Sequence, residues 1–461
     1  MGLFTGTQGF GIVCSVVKMK LVALWLHSTG MGLFGIFNST LETASVITDL
    51  GLRQSAVRNV AQSVSDSSRL ALVAGVVRRW CALSGFLGAS VLCAISPLLS
   101  EWFMGTSSRW WQFALLAFCL LLNGLVNGEV TILQGTRRLR YIARTSMLSS
   151  FIGLLLSIPL YRYLGDNSVI LSILAYSLCS LVAVFRYRYR SESCDHISRR
   201  ILWKEGKMFI RLGIYMSIAG FITNLLNLLF ISYLQQVSSI SEVGLYQSGS
   251  MIIIRYAGLI FTSVGMEFYP RLAMAVRSRK RSELFVSHEI ILLQLVIVPM
   301  ILCFFLVRDW VVIFLYSSEF LPAVSFVMFA MISLIPKTLG WSMAYQVIVS
   351  GSGRTYLVME VLDGSLGFLM LAISYHIGGL PAVGVAFILW YTSYSLITGY
   401  IYHRKFCMCL RRNVVSLTLL SFVVCGVGLW FAMRDFVVIS WVYTAVVCTL
   451  YLRWLIRLWR R

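Results

Sequence analysis

Apolar runs long enough to cross a lipid bilayer follow one another along almost the whole chain. A spanning helix needs about 20 apolar residues, at a rise of about 1.5 Å per residue. With 58% apolar and 12% charged residues, the sequence predicts an all-α polytopic membrane protein with about 14 transmembrane helices. The apolar runs fall at roughly residues 3–26, 33–60, 80–100, 109–134, 145–165, 167–186, 208–235, 244–270, 287–307, 320–349, 355–376, 380–402, 414–433 and 436–456.

The basic residues alternate between the two sides of this predicted bundle. One set of alternate connections carries 29 of the 39 Lys and Arg residues, whereas the opposite set carries only Arg109, Arg162, Arg308 and Arg434. Short cytoplasmic loops are enriched in Lys and Arg, so this bias predicts that both termini and all the basic loops are cytoplasmic. Topology therefore explains the net charge of +21, and a nucleic-acid partner is not needed.

Short sequence matches recur between the two halves of the chain. An even number of spans in each half leaves the second half in the orientation of the first, so we expect two parallel six-helix repeats. The matches pair Gly32-Leu33-Phe34 with Gly244-Leu245-Tyr246 after 212 positions, Gly135-Thr136-Arg137-Arg138 with Gly351-Ser352-Gly353-Arg354 after 216, and Gly153-Leu154-Leu155 with Gly367-Phe368-Leu369 after 214.

The predicted domain organisation follows from the repeat and from one long basic connection. The connection at 187–207 divides the chain nearly in half, and the last two apolar runs lie outside the repeat. The predicted domains are an N-terminal six-helix lobe at 1–186, a cytoplasmic loop at 187–207, a C-terminal six-helix lobe at 208–402, and two extra transmembrane helices with a basic cytoplasmic tail at 403–461.

Charged residues inside predicted spans are the candidates for function, because charge in a membrane is costly unless it is paired or lines a wet cavity. The stretch Gly30–Gln62 predicts a cavity-lining helix, since its polar side chains recur every three or four residues on one face. Alternatively, Asp49 and Arg53 only neutralise each other at i,i+4. The residues of this face are Asn38, Glu42, Ser45, Asp49 and Arg53.

The matching helix of the second half carries Arg255 close to the expected midplane of the membrane. Such an arginine needs an acid, a carbonyl or an anionic ligand as its partner, and Glu42 at similar depth is a candidate. Glu267 and Arg271, four residues apart, are expected to form a local pair. The face that carries Arg255 is expected to include Gln247, Met251, Gly258 and Thr262.

Three lysines and three acids complete the intramembrane charges. Lys337 follows Pro336, which removes a backbone hydrogen bond and loosens the helix where its backbone can face a cavity. Lys18 and Lys20 lie on different faces of the first span, so at most one points into a shared cavity, and either can instead snorkel to the interface. The remaining acids, any of which could carry a coupling proton, are Glu129, Glu360 and Asp363.

The sequence has no constellation of residues that is typical of an enzyme. It has no Walker motif, and its five His lie in loops or at span margins. Its eleven Cys are scattered mostly through apolar runs without metal-ligand spacing. We therefore expect no catalytic residues, no metal site and no cofactor.

Four strings spread along the chain carry a family resemblance: GMGLFG at 30–35, LGLRQSAVR at 50–58, LQGTRR at 133–138 and LYSSEFLPA at 315–323. With their flanking residues they resemble Wzx-type O-antigen translocases, the polysaccharide-export flippases of the multidrug/oligosaccharidyl-lipid/polysaccharide (MOP) exporter superfamily. The likeness extends over nearly the whole chain, although relatives usually have a longer N-terminal lead.

The resemblance implies a V-shaped pair of six-helix bundles around a central cationic cavity, in the bacterial inner membrane. It implies ion-coupled alternating access that moves an undecaprenyl-diphosphate-linked oligosaccharide from the cytoplasmic to the periplasmic leaflet. An O-antigen polymerase and a chain-length regulator are further expected partners. Head-group contacts are then expected from Arg255, Lys337, Arg53, Lys18 and Lys20, and counter-charge or proton coupling from Glu42, Asp49, Glu129, Glu360 and Asp363.

Three other functions stay open on the sequence alone. A multidrug antiporter of the same superfamily would bind organic cations, which favours an acidic cavity. A flippase for the lipid-linked peptidoglycan precursor would also need a cationic cavity. A membrane-bound glycan polymerase or ligase is disfavoured, because no predicted outer connection exceeds about fifteen residues.

Overall fold

Helices account for nearly all of the described chain. The computed structural model describes residues 2–49, 52–64, 66–189, 199–276, 278–434 and 436–459. Within these ranges, four short non-α pieces interrupt the series, namely 3-10 helices at Ser107–Arg109, Gly165–Asn167 and Ser318–Phe320 and a π-helix at Met251–Tyr256. The α-helices are α1 (Gly2–Trp25), α2 (His27–Asp49), α3 (Leu52–Gln62), α4 (Ser67–Ala94), α5 (Ser96–Met104), α6 (Trp110–Gly135), α7 (Leu139–Tyr163), α8 (Ser168–Tyr187), α9 (Arg199–Val237), α10 (Ile240–Ser250), α11 (Gly258–Ala275), α12 (Arg279–Leu315), α13 (Ala323–Ile332), α14 (Leu334–Val349), α15 (Gly353–Phe406), α16 (Arg412–Met433) and α17 (Val437–Trp459).

The length and apolarity of these helices confirm an all-α polytopic membrane protein. Within the described residues, 10 helices are long and apolar enough to cross a membrane, or up to 11 if the bent pair α13–α14 is one span. This count does not reach the fourteen spans expected from the sequence. One reason is α15, whose 54 residues count once although a helix of that length is more than twice the thickness of a bilayer core, about 30 Å.

The chain forms two compact units, Met1–Gly244 and Leu245–Arg461. In the first unit, α9 packs against α2 and α3, and α4 packs along α6. In the second unit, α12 packs against α16 and α17, and α14 packs against α15. The domain bounds predicted from the sequence fall elsewhere and stay a prediction, and residues 190–198 of the predicted loop lie outside the described residues.

The turns that follow α6 and α14 have the same backbone structure. Arg137 and Gly351, 214 positions apart, both adopt the left-handed conformation, with φ of 57° and 72°. The hydrogen bonds agree as well, because Arg138 N donates to Leu133 O and Ser352 N donates to Val347 O. The sequence match at this turn was therefore two residues out of register, since the structure gives a shift of 214 and not 216.

The same spacing relates the α7–α8 connection to the middle of α15. Gly165 begins the short 3-10 helix between α7 and α8, and Gly379 interrupts α15; both have positive φ, 55° and 63°. Since 214 positions separate them too, the two halves of α15 correspond to α7 and α8.

A reciprocal contact joins α2 to the first turns of α10 within the first unit. A Cβ built on Gly32 would overlap the carbonyl oxygen of Ile240, and a Cβ built on Gly244 would overlap that of Ser28. Ser28 and Ile240 are 212 positions apart, as are Gly32 and Gly244. The glycine match found in the sequence therefore marks two positions at which the backbones approach too closely for any side chain.

Candidate functional site

A polar and aromatic cluster of the second unit is built where α14 begins. A bend of 47° separates α13 from α14, and Pro336, in the first turn of α14, has no backbone N–H to donate. The Ser395 hydroxyl of α15 donates to the Pro336 carbonyl at 2.5 Å. This contact fixes the start of α14, and hence Lys337, against α15.

The Lys337 side chain lies among aromatic rings and a phenol. Its Nζ donates to the Tyr391 hydroxyl at 3.1 Å and lies 4.6 Å from the centroid of the same ring. The Phe261 ring centroid is 5.5 Å from Nζ. Aromatic faces stabilise a partly desolvated ammonium electrostatically, so these rings favour a positive charge at this half-buried position.

Asp363 is connected to this lysine through two stacked aromatic side chains. The Trp390 indole N–H donates to Asp363 Oδ1 at 2.7 Å and to the Asp363 carbonyl at 2.9 Å. Trp390 stacks on Tyr391 with centroids 4.8 Å apart and an interplanar angle of 11°. Asp363 is also within electrostatic range of Glu360 and Lys337. We call Phe261, Lys337, Asp363, Trp390 and Tyr391 the Lys337 cluster.

The structure places Arg255 on the π-helix Met251–Tyr256, where its side chain is exposed. A π-helix inserts an extra residue into the turn, which rotates all following residues relative to an α-helical face. Met251 is buried whereas Arg255 is exposed, and the common face expected from 3.6-residue periodicity stays a prediction. Arg255 lies within electrostatic range of Tyr316 in the same unit.

In the first unit, Lys18 is also held by aromatic rings. Its Nζ lies 5.6 Å from the Phe34 centroid and 6.0 Å from the Tyr176 centroid. A Cβ on Gly153 would lie 3.1 Å from the Tyr176 ring, and a Cβ on Gly367 would lie 2.6 Å from the Trp390 ring. Tyr176 and Trp390 are again 214 positions apart, so corresponding aromatic rings pack on corresponding glycines beside a lysine in each unit. Lys20 is half-buried on the same helix as Lys18.

The acids of the first unit have separate partners. Glu42 accepts a hydrogen bond from Asn38 at 2.7 Å, and Asp49 accepts one from Asn127 at 3.3 Å. Glu129 is buried and receives two hydrogen bonds from Arg78, at 2.7 and 3.0 Å. The Arg53 side chain lies outside the described residues. The structure thus brings Lys337 and Asp363 into one cluster, whereas the first-unit acids lie in distinct contacts.

The expected local pair between Glu267 and Arg271 is confirmed, since their side chains are in contact. Reasoning from the sequence missed Phe261, Trp390, Tyr391 and Arg78, which bind the charged residues it had selected. For Trp390 a signal existed, because the repeat aligns it with Tyr176. For Arg78 no sequence pattern pointed to Glu129, 51 residues further along the chain.

A family model described as "Polysaccharide biosynthesis protein" matches residues 21–325 of the chain. This match covers more than half of the sequence. The chain belongs to the polysaccharide biosynthesis protein family. Among curated proteins, no sequence is similar enough to this member to count as a match.

The fold of this family member is that of MOP-superfamily transporters. The lipid II flippase MurJ, in an inward closed conformation, superposes with a TM-score of 0.78 at 12% identity, over 100% of both chains. An inward-facing multidrug resistance MATE family transporter of the MOP superfamily gives a TM-score of 0.66 at 14% identity, over 86% of this chain and 94% of that one. A MOP superfamily transporter from Pyrococcus furiosus, whose binding pocket is described as reversed in polarity, gives a TM-score of 0.59 at 14% identity, over 88% of this chain and 95% of that one.

Proposed function

We propose that this protein is a flippase for an undecaprenyl-diphosphate-linked polysaccharide repeat unit. It would move this glycolipid from the cytoplasmic to the periplasmic leaflet of the bacterial inner membrane by ion-coupled alternating access. Membership of a polysaccharide biosynthesis family and the fold of MOP transporters support the proposal. The observation that carries it is the Lys337 cluster, a positive charge held by aromatic rings inside an apolar helical unit.

The chemistry of Lys337 suits a diphosphate. A diphosphate cannot enter hydrocarbon without compensating charge, and charge-assisted hydrogen bonds from an ammonium supply it. The ammonium has three N–H donors, one of which is directed to Tyr391. Phosphate oxygens would accept from the remaining donors.

Asp363 would supply the coupling. Its carboxylate, within electrostatic range of Lys337, competes with the diphosphate for the same positive charge. Protonation of Asp363 would leave the Lys337 ammonium free to bind the diphosphate. Deprotonation of Asp363 would favour release of the diphosphate. Glu360 lies close enough to Asp363 to interact with it electrostatically and would raise the cost of ionising both acids.

The finer architecture belongs to the same proposal. We propose about 14 spans in two parallel six-helix repeats, with two C-terminal helices and both termini in the cytoplasm. The recurrence of left-handed residues and ring-on-glycine contacts after 214 positions supports the repeats. The other proposed head-group contacts are Arg255, Arg53, Lys18 and Lys20, and the other proposed counter-charges are Glu42, Asp49 and Glu129. An O-antigen polymerase and a chain-length regulator are proposed partners.

The test replaces Lys337 in a host whose own flippase is deleted and whose surface polysaccharide depends on this chain. Lys337→Ala should lower surface polysaccharide about 10-fold or more, since a charge-assisted hydrogen bond is lost. Lys337→Arg should retain part of the activity because it keeps the charge. Lys280→Ala, at an exposed lysine at the start of α12, is the matched control. Undiminished polysaccharide in Lys337→Ala at equal protein abundance would refute the assignment.

Transport of an organic cation is the second candidate, because Asp363, Glu360, Trp390 and Tyr391 would also suit a positively charged aromatic compound. Drug-resistance assays on the same strains decide between the two. Resistance that depends on Asp363, with no polysaccharide phenotype, would favour the cation. Rescue of cells depleted of their peptidoglycan-precursor flippase would instead favour that glycolipid as the substrate.

A further inference from the structure

A cavity of about 660 Å³ lies in the first unit where α5 ends beside the end of α9. This volume is typical of a small-molecule site, about 300–1,000 Å³. The cavity lies far along the sequence from the Lys337 cluster and is built from other helices. The residues that line it are Leu98, Glu101, Trp102, Gly105, Gln235 and Gln236.

Trp102 offers a fixed aromatic face to this cavity. Its indole N–H donates to the hydroxyl of Ser232, a residue that is itself buried. The Trp102 side chain is nevertheless 55% exposed. An interfacial tryptophan commonly turns its N–H toward water or head groups, but this one is anchored inward, so its ring is held in place with a face uncovered.

The polar groups around Trp102 include two hydrogen-bond acceptors that suit a ligand with hydroxyl donors. Gln235 Oε1 is buried and has no hydrogen-bond partner among the residues that the structure describes. A buried acceptor without a donor costs free energy, and rotation of the Gln235 side chain, which lines the cavity, would present this oxygen to a ligand hydroxyl. The Glu101 carboxylate, exposed at the rim, is also an acceptor.

The lining excludes several kinds of occupant. Among the described residues, none that lines it is Lys, Arg or His, and Glu101 would repel a phosphate, so the lipid diphosphate does not fit. An acyl chain would desolvate two glutamines and a carboxylate without giving them partners. A tetraalkyl or tetraaryl cation suits Trp102 and Glu101 but has no hydroxyl for Gln235. A sugar ring offers both an apolar C–H face and hydroxyl donors.

We infer that this cavity is a sugar subsite that receives the glycan of the transported glycolipid. The inference rests on the proposed function and on the charge bias, because α9 begins with Arg199, Arg200, Lys204 and Lys207, which makes its far end periplasmic. The cavity would then bind sugars and not the diphosphate, because its lining is acidic and amide-rich.

The test uses the purified full chain in nanodiscs. The probe is the set of lipid-free oligosaccharides that mild acid releases from the glycolipids of the source cells, and calorimetry measures their binding. Trp102→Ala should weaken binding about 10-fold, since the stacking face is lost. Trp102→Phe should keep most of the affinity, because it keeps a ring. Glu101→Gln should weaken binding a few-fold, about what one hydrogen bond contributes.

Trp110→Ala is the matched control, since Trp110 is similarly exposed at 49% and does not line the cavity. Equal binding by wild type and Trp102→Ala, or no binding by wild type, would overturn the inference. Glu101-dependent binding of tetraphenylphosphonium without oligosaccharide binding would overturn it in favour of a cation site. The lipid-free oligosaccharides lack the diphosphate that Lys337 is proposed to bind. The binding assay therefore tests the sugar subsite independently of the surface-polysaccharide assay, which tests the flippase proposal.

Discussion

At the scale of single residues, Glu129 shows how a contact changes the interpretation of a buried acid. From the sequence, Glu129 was expected to be one of several acids that could carry a coupling proton. In the structure its carboxylate is 5% exposed and receives both hydrogen bonds from Arg78, which is 30% exposed and also donates to the Tyr189 carbonyl at 2.7 Å. This pair joins α4 to α6 and favours a structural role over proton transfer.

The pair predicts an asymmetry between two truncations. Arg78→Ala leaves a buried carboxylate without its partner and should destabilise the protein by about 3–5 kcal/mol. Glu129→Ala leaves a guanidinium that still reaches water and Tyr189, so it should cost less, and the double variant should resemble Glu129→Ala. Thermal unfolding of the detergent-solubilised proteins measures the three effects. If Glu129→Gln abolished transport while the unfolding midpoint stayed unchanged, Glu129 would be a proton carrier after all.

At the scale of helices, the contact between α2 and the start of α10 depends on two glycines. Because a Cβ on either would overlap a carbonyl oxygen of the other helix, the backbones must separate to accept a methyl group. Gly32→Ala and Gly244→Ala should therefore each destabilise the protein by about 1–3 kcal/mol, as overpacking does. Gly426→Ala in α16 is the control, because a Cβ there meets nothing within 4 Å and alanine favours a helix. A lower unfolding midpoint in all three variants, including the Gly426→Ala control, would argue against the close contact as the cause.

The helices and their repeat were largely predictable from the sequence, whereas the contacts within the Lys337 cluster were not. Hydropathy predicts the helices because burial in lipid demands long apolar segments. Short glycine matches predict the corresponding positions because a close approach excludes every other residue. The π-helix at Arg255 and the two-residue shift at Arg137 escaped notice, since both depend on backbone geometry that periodicity assumes to be regular. Lys337 and Asp363 were selected separately, but their connection through Trp390 and Tyr391 depends on packing between distant segments.

At the scale of the whole molecule, the number of spans depends on α15. Its 54 residues would extend about 80 Å as one straight helix, far beyond a bilayer core. Basic residues occur at both of its ends, with Arg354 at the start and Arg404 and Lys405 at the finish. Since a single span cannot have both ends in the cytoplasm, the positive-inside rule predicts two spans that meet at Gly379.

Fusions of reporter enzymes to truncated chains test this topology. Alkaline phosphatase joined after Gly378 should be active, because that point is expected to be periplasmic, whereas the same enzyme joined after Phe406 should be inactive. Green fluorescent protein should give the opposite pattern, since it fluoresces when it folds in the cytoplasm. Fusions after Gly165, between α7 and α8, and after Tyr187, the last residue of α8, serve as matched controls. If the phosphatase were active at both 378 and 406, α15 would not return to the cytoplasm, and the correspondence with α7 and α8 would not extend to the membrane topology.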